Sequence, residues 1–120
     1  MEATDVLVIE DDAQVGRVLC ELLEVWGYTA VWAGSAEAGW TLFGRLAPRA
    51  VVTDNRMPGD GGLSLARRLK VLETDTPVVM LSGDPPADAG EVCDAVLAKP
   101  AGAMKLRETL EALGVAPREQ

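Results

Sequence analysis

The 120-residue chain contains no histidine. That removes the usual general base near neutral pH and a common nitrogen ligand for zinc and copper. Aromatic residues are few, three Trp, one Tyr and one Phe, and only two cysteines occur, Cys20 and Cys93, far apart and outside any Cys-x-x-Cys pattern. They read as buried thiols of an intracellular protein rather than as a redox pair. No apolar run approaches the ~20 residues that cross a membrane. The opening MEATD is acidic and followed by only a short apolar stretch, unlike a secretory leader. Basic charge is also short: 11 Lys and Arg against 19 Asp and Glu leave a net charge of −8. Such a balance argues against direct binding of nucleic acid or of an anionic membrane. The expectation is a soluble, cytoplasmic domain.

What remains is a regular alternation. Apolar residues make up 48% of the chain, and 120 residues suffice for one core without disulfide or metal staples. VLVI (6–9), TAVWA (29–33), AVVT (50–53), VVML (78–81) and AVLA (95–98) are short apolar runs of the kind that form strands covered on both faces. Between them lie helical patterns. From Ala13 to Trp26, residues Val15, Val18, Leu19, Leu22, Leu23 and Trp26 fall at three- and four-residue spacing, with Gly27 as the stop. Ser35 suits the cap of a helix reaching about Leu46. A third helix covers about Leu63 to Leu72, with Leu65, Ala66, Leu69 and Leu72 inward and Arg67, Arg68 and Lys70 outward. The last follows Pro100 and carries Leu106, Leu110 and Leu113 on one face, with Gly114 ending it. Strand–helix alternation implies right-handed crossovers and a parallel sheet sandwiched by helices. Segment 83–92, GDPPADAGEV, has two prolines and little apolar content, leaving room for a short helix at most.

In such a sheet the ligand site lies beyond the carboxyl ends of the strands. The residues that follow the apolar runs there are Glu10, Asp11 and Asp12, then Asp54, Ser82 and Lys99. Each has a plain reading taken singly: acidic residues favour a helix N-terminus, and an aspartate or serine can close a turn. Together they place carboxylates, a hydroxyl and an ammonium on one rim. Oxygen ligands at a phosphate-handling site suit Mg²⁺. An aspartate nucleophile can accept a phosphoryl group, and such transfer depends on in-line positioning and charge neutralisation.

The sequences VLVIEDD, VVTDNRMPGDGG, PVVMLSG and VLAKP, in that order, resemble the receiver domains of bacterial two-component response regulators. The resemblance covers about residues 5–113 and implies a single receiver domain over 1–120. Its fold would be a flavodoxin-like five-stranded parallel sheet in the order 2-1-3-4-5, with a short or irregular fourth helix. It implies Asp54 as the phosphoacceptor and Mg²⁺ held by Asp11, Asp54 and the backbone carbonyl of Arg56, with Glu10 reaching it through water. It further implies that Lys99 pairs with the phosphoryl group, that the Ser82 hydroxyl bonds it, and that the Lys99–Pro100 peptide is cis. The partner would be a sensor histidine kinase or a phosphotransfer protein. The domain would catalyse no reaction besides its own phosphorylation and dephosphorylation, either alone or as the receiver of a hybrid histidine kinase. Homodimerisation stays open.

This chain departs from the family pattern in places. Val96 stands where the family usually has an aromatic residue, and Ala101 where a Phe often follows Lys-Pro. The Ser82–Lys99 interval is shorter than usual by about one helical turn. The Arg56 side chain can either reach a phosphoryl group on Asp54 or lie in solvent. Other functions fit less well. A haloacid-type hydrolase wants a second aspartate two residues after the nucleophile, where this chain has Arg56. A flavodoxin-like cofactor binder would need a phosphate cradle after the first strand, and EDDAQ repels phosphate. A degenerate receiver acting as an interaction module is the alternative that Val96 and the short 83–92 segment keep open.

Overall fold

The computed structural model describes residues 3–55, 61–72, 74–98 and 103–117. Its five strands are β1 (Val6–Ile9), β2 (Ala30–Ala33), β3 (Ala50–Asp54), β4 (Val78–Ser82) and β5 (Ala95–Ala98). The helices are α1 (Ala13–Val25), α2 (Ala36–Leu46), α3 (Gly62–Val71), α4 (Ala89–Val92) and α5 (Ala103–Ala112). All four strand pairings are parallel and the order is β2-β1-β3-β4-β5, as the resemblance implied.

Every residue of β1, β3 and β4 is buried, which explains why their sequences are continuous apolar runs rather than alternating ones. Alternation survives in which layer each side chain enters. Val6, Val8, Val52, Val79 and Leu81 pack with Leu23, Leu106 and Leu110 from α1 and α5. Leu7, Ile9, Val51, Val78 and Met80 pack with Leu65, Ala66 and Leu69 from α3. At the opposite end of the strands from their carboxyl tips, the buried Asp5 ties three segments together. Its carboxylate accepts from the Thr29 amide at 2.8 Å and from Arg49 at 3.0 Å.

Helices α1 and α5 end alike. Gly27 and Gly114 adopt φ of 100° and 85°, and each following residue donates its amide back into the helix, Tyr28 to Leu23 and Val115 to Leu110, both at 2.9 Å. These are Schellman closures, which satisfy the last carbonyls of a helix. The two ends are also joined, because the Tyr28 hydroxyl donates to the Val115 carbonyl at 2.6 Å.

Two expectations of burial need correction. Val15 and Val18 are 38% and 60% exposed, because the contact face of α1 centres on Gly16 and Leu23 and the apolar stripe is wider than that face. Leu72, 55% exposed, is the C-cap of α3 and lies beyond the last buried turn at Leu69. The fourth helix is indeed short. It spans four residues and is held from α3, where Arg67 pairs with Asp88 and Lys70 donates to the Glu91 carbonyl at 2.6 Å. Arg68 covers the Trp40 ring at 4.1 Å, a cation–π contact that joins α3 to α2.

Neighbouring leucines of α3 should therefore differ sharply in chemical denaturation. Leu69→Ala is expected to cost about 2–5 kcal/mol, and Leu72→Ala no more than about 0.5 kcal/mol. A second expectation concerns alkaline pH. Burial, and secondarily the adjacent Asp94 carboxylate, push the Cys93 thiol up to about 11. The folded protein then holds this proton more tightly than the unfolded chain. The stability it contributes is complete below about pH 9 and is lost as pH rises toward about 11. Thermal midpoints measured from pH 8 to 11 should fall less steeply for Cys93→Ala than for the wild type. Tyr28, also raised by burial, contributes to both proteins alike.

Candidate functional site

The layer alternation carries past the ends of the strands. Val8 and Val52 pair in register and face the α1–α5 layer, so Glu10 and Asp54, two residues further along β1 and β3, are in step with them. The turn into α1 adds Asp11. One carboxylate oxygen from each of Glu10, Asp11 and Asp54 lies within 4.8 Å of the others. Glu10 and Asp54 are only 5% and 8% exposed, whereas Asp11 faces solvent.

The three acids of the EDD run divide their work. Asp12 is the N-cap of α1, its carboxylate accepting from the amides of Gln14 at 2.9 Å and Val15 at 3.2 Å. Glu10 and Asp11 are thereby turned to the acidic cluster. The Glu10 peptide is held from β2: its amide donates to the Ala33 carbonyl at 3.0 Å, and its carbonyl accepts the Trp32 indole N–H at 2.7 Å. Carboxylates gathered in a poorly solvated recess repel unless a cation lies among them. A donor set made only of carboxylate oxygens, two buried and one open to solvent, fits a hard divalent ion such as Mg²⁺, which keeps several of its waters.

Asp54 is anchored by its backbone. The Thr53 hydroxyl donates to the Asp54 carbonyl at 3.0 Å. Gly62 packs so tightly here that a methyl group on it would sit 2.4 Å from that same oxygen. Gly61, the N-cap of α3, has no side chain to cap with, and Asn55 does so instead, its Oδ1 accepting from the Leu63 amide at 3.1 Å. The residue beside Asp54 thus caps the helix to which the loop returns. Asn55 escaped the sequence reading. Its type is a good capping signal, but it lies too far before the helix to form a local pattern.

Ser82 ends β4, the strand next to Asp54. It is fully buried, and its hydroxyl oxygen accepts from the Asp84 amide at 3.2 Å. It follows β4 in step with Met80, so its side chain starts in the α3 layer rather than in the layer of Asp54. Its partner on β5 is Ala98, the residue before Lys99. Lys99, Arg56 and the Lys99–Pro100 peptide lie outside the described residues. Val96 pairs with Met80 and packs into the α3 layer, half-buried. A hollow of about 390 Å³ between α3 and α4, bordered by Leu69, Thr76, Val78, Cys93 and Asp94, lies at the amino ends of β4 and β5, the other end of the sheet from Asp54.

Residues 6–111 match the family model described as the response regulator receiver domain. The sensory/regulatory protein RpfC of Xanthomonas campestris pv. campestris is 35% identical over 123 residues, covering 94% of this chain and 17% of that protein. The probable transcriptional regulator ycf27 of Porphyra purpurea is 33% identical over 98 residues, covering 82% of this chain and 38% of the relative. The chain therefore spans well under half the length of either. Among solved structures, response regulator protein TrrA of Thermotoga maritima, determined in complex with Mg²⁺–BeF, superposes with a TM-score of 0.85 over 92% of this chain and 98% of its own, at 23% identity. With its sheet order, its acidic rim and a family match across nearly its whole length, this chain belongs to the response regulator receiver domains of two-component signalling.

Proposed function

We propose that residues 1–120 form one receiver domain that takes a phosphoryl group onto Asp54 in a Mg²⁺-dependent reaction and changes conformation in response. The observation that carries this reading is the convergence of Glu10, Asp11 and Asp54 within 4.8 Å at the carboxyl ends of two adjacent strands. A backbone-anchored, nearly buried aspartate at that rim is poised as a nucleophile, with one face toward solvent from which a donor can approach.

In the proposed reaction, a carboxylate oxygen of Asp54 attacks the phosphorus of a phosphohistidine on a partner protein. A P–O bond forms as the P–N bond breaks, and the imidazole leaves with the electron pair. Hydrolysis of the acyl phosphate later returns the carboxylate. Glu10, Asp11 and Asp54, with the Arg56 carbonyl, would hold Mg²⁺, whose chemistry is to neutralise charge on the phosphoryl oxygens. That the related fold of TrrA was determined with Mg²⁺–BeF supports this assignment. Lys99 supplies a second positive charge. The Ser82 hydroxyl, bonded to the Asp84 amide in the described state, gives up that contact to bond the phosphoryl group. Loss of the contact loosens the turn into α4, so the response is read in the β4–α4 segment rather than by rotation of an aromatic ring at position 96.

The histidine-bearing partner docks on α1. This helix starts at the acidic rim and presents Val15 and Val18 to solvent beside the half-buried Leu22, an apolar strip suited to a helix of a histidine kinase or phosphotransfer protein. The domain acts in the cytoplasm, where such donors are found. No helix among the described residues is long and apolar enough to cross a membrane. Because the chain corresponds to part of a sensory/regulatory protein in one relative and part of a transcriptional regulator in another, it serves as the input module of a larger pathway.

Asp54→Asn is expected to abolish incorporation of acid-labile phosphate from a small acyl phosphate with Mg²⁺, read by mass spectrometry. Undiminished incorporation would move the acceptor elsewhere. Asp11→Ala should weaken Mg²⁺ binding, measured by calorimetric titration, by at least about tenfold. Its thermal midpoint should stay close to that of the wild type, because Asp11 is exposed. An unchanged affinity would remove Asp11 from the metal site.

A further inference from the structure

Trp32 sits near the end of the edge strand β2 and is 40% exposed. It pairs with Val8, so its ring is on the α1 side of the sheet. There it crosses the first turn of α1. A methyl group on Gly16 would lie 2.4 Å from its Cδ1 and Nε1, and one on Gly34 would lie 3.4 Å from its Cζ2. Gly16 thus forms the seat of the ring, whereas a methyl group on Gly34 would make only an ordinary contact. From that seat the indole N–H donates to the Glu10 carbonyl, at 2.7 Å.

The consequence falls on the acidic rim. Glu10 is the first residue beyond the β1 ladder, where a chain ordinarily gains freedom. Here both sides of its backbone are tied to β2, the amide to Ala33 and the carbonyl to Trp32. The carbonyl belongs to the Glu10–Asp11 peptide, so one hydrogen bond fixes the plane from which the Asp11 carboxylate departs and the residue that carries the Glu10 carboxylate. Groups that orient ligands without touching the ion commonly control affinity. We infer that Trp32 is a positioning residue for the cation: seated on Gly16, it pins the Glu10–Asp11 peptide so that both carboxylates are in place before Mg²⁺ arrives. This rests on the reading of Glu10, Asp11 and Asp54 as the Mg²⁺ site.

The test compares the wild type with two variants that act on the clasp from opposite sides. Trp32→Phe keeps a ring over Gly16 and removes the N–H. Gly16→Ala keeps the N–H and displaces the ring. In calorimetric titration with Mg²⁺ alone, each is expected to bind about tenfold more weakly than the wild type. The far-ultraviolet spectrum of both should remain native. A spectroscopic readout separates positioning from general stability. In protein carrying 5-fluorotryptophan, the Trp32 fluorine line, assigned as the one absent from Trp32→Phe and shifted in Gly16→Ala, should move on Mg²⁺ addition. Those of Trp26 and Trp40 should not. Equal Mg²⁺ affinity in the folded variants and the wild type would overturn the role of Trp32 and leave the metal site standing. So would a Trp32 line that stays put at saturating Mg²⁺. Absence of Mg²⁺ binding by the wild type would overturn the metal site and this inference with it.

Discussion

The parallel pairing of β1 with β3 is the contact on which the rest depends. Both strands are buried on both faces, so their register is fixed by packing from two sides at once. A slip of one residue would exchange the two layers and turn Glu10 and Asp54 away from the face they share. The register that buries Val8 beside Val52 is also the one that brings two carboxylates together at the rim. Packing of the core therefore drives together carboxylates that would otherwise separate. In this sense the site is a cost that the hydrophobic core sustains.

The surroundings of the rim share one device: Glu10 and Asp54 are each held through their backbone carbonyls. The Asp54 carbonyl takes the Thr53 hydroxyl and rests against Gly62. The Glu10 carbonyl takes an indole. Asp12 gives its carboxylate to a helix cap and so fixes where the α1 turn begins. Ser82 is the contrasting member, because its hydroxyl oxygen is itself engaged, with the Asp84 amide.

The sheet and the acidic cluster could be read from the chain because they follow from local periodicity. Strands buried on both faces produce continuous apolar runs, and the residues just past those runs must reach the rim. The ends of α1 and α5 were legible for a similar reason, since Gly27 and Gly114 mark their own closures. What could not be read depends on segments that meet only after folding. Val15 and Leu72 carry the right residue type at the right spacing, yet the width of the contact face and the end of the helix leave them in solvent. Asn55 caps a helix that starts seven positions later, and Trp32 reaches a carbonyl twenty-two positions earlier in the chain. No window of sequence contains both partners of the Trp32 bond in helical or strand spacing, so only the tertiary arrangement reveals it.

The four-residue α4 has a consequence for the order in which the domain assembles. A single turn cannot offset its own nucleation and has no independent helical stability in water. It is held by two α3 cations, Arg67 on Asp88 and Lys70 on the Glu91 carbonyl, and by Ala89 in the layer beneath. Its place therefore depends on a formed α3. Because Arg67 and Asp88 both remain substantially in water, their attraction is screened by dissolved ions. Ionic strength then becomes a dial on this one corner of the molecule, loosening α4 while the sheet behind it stays intact.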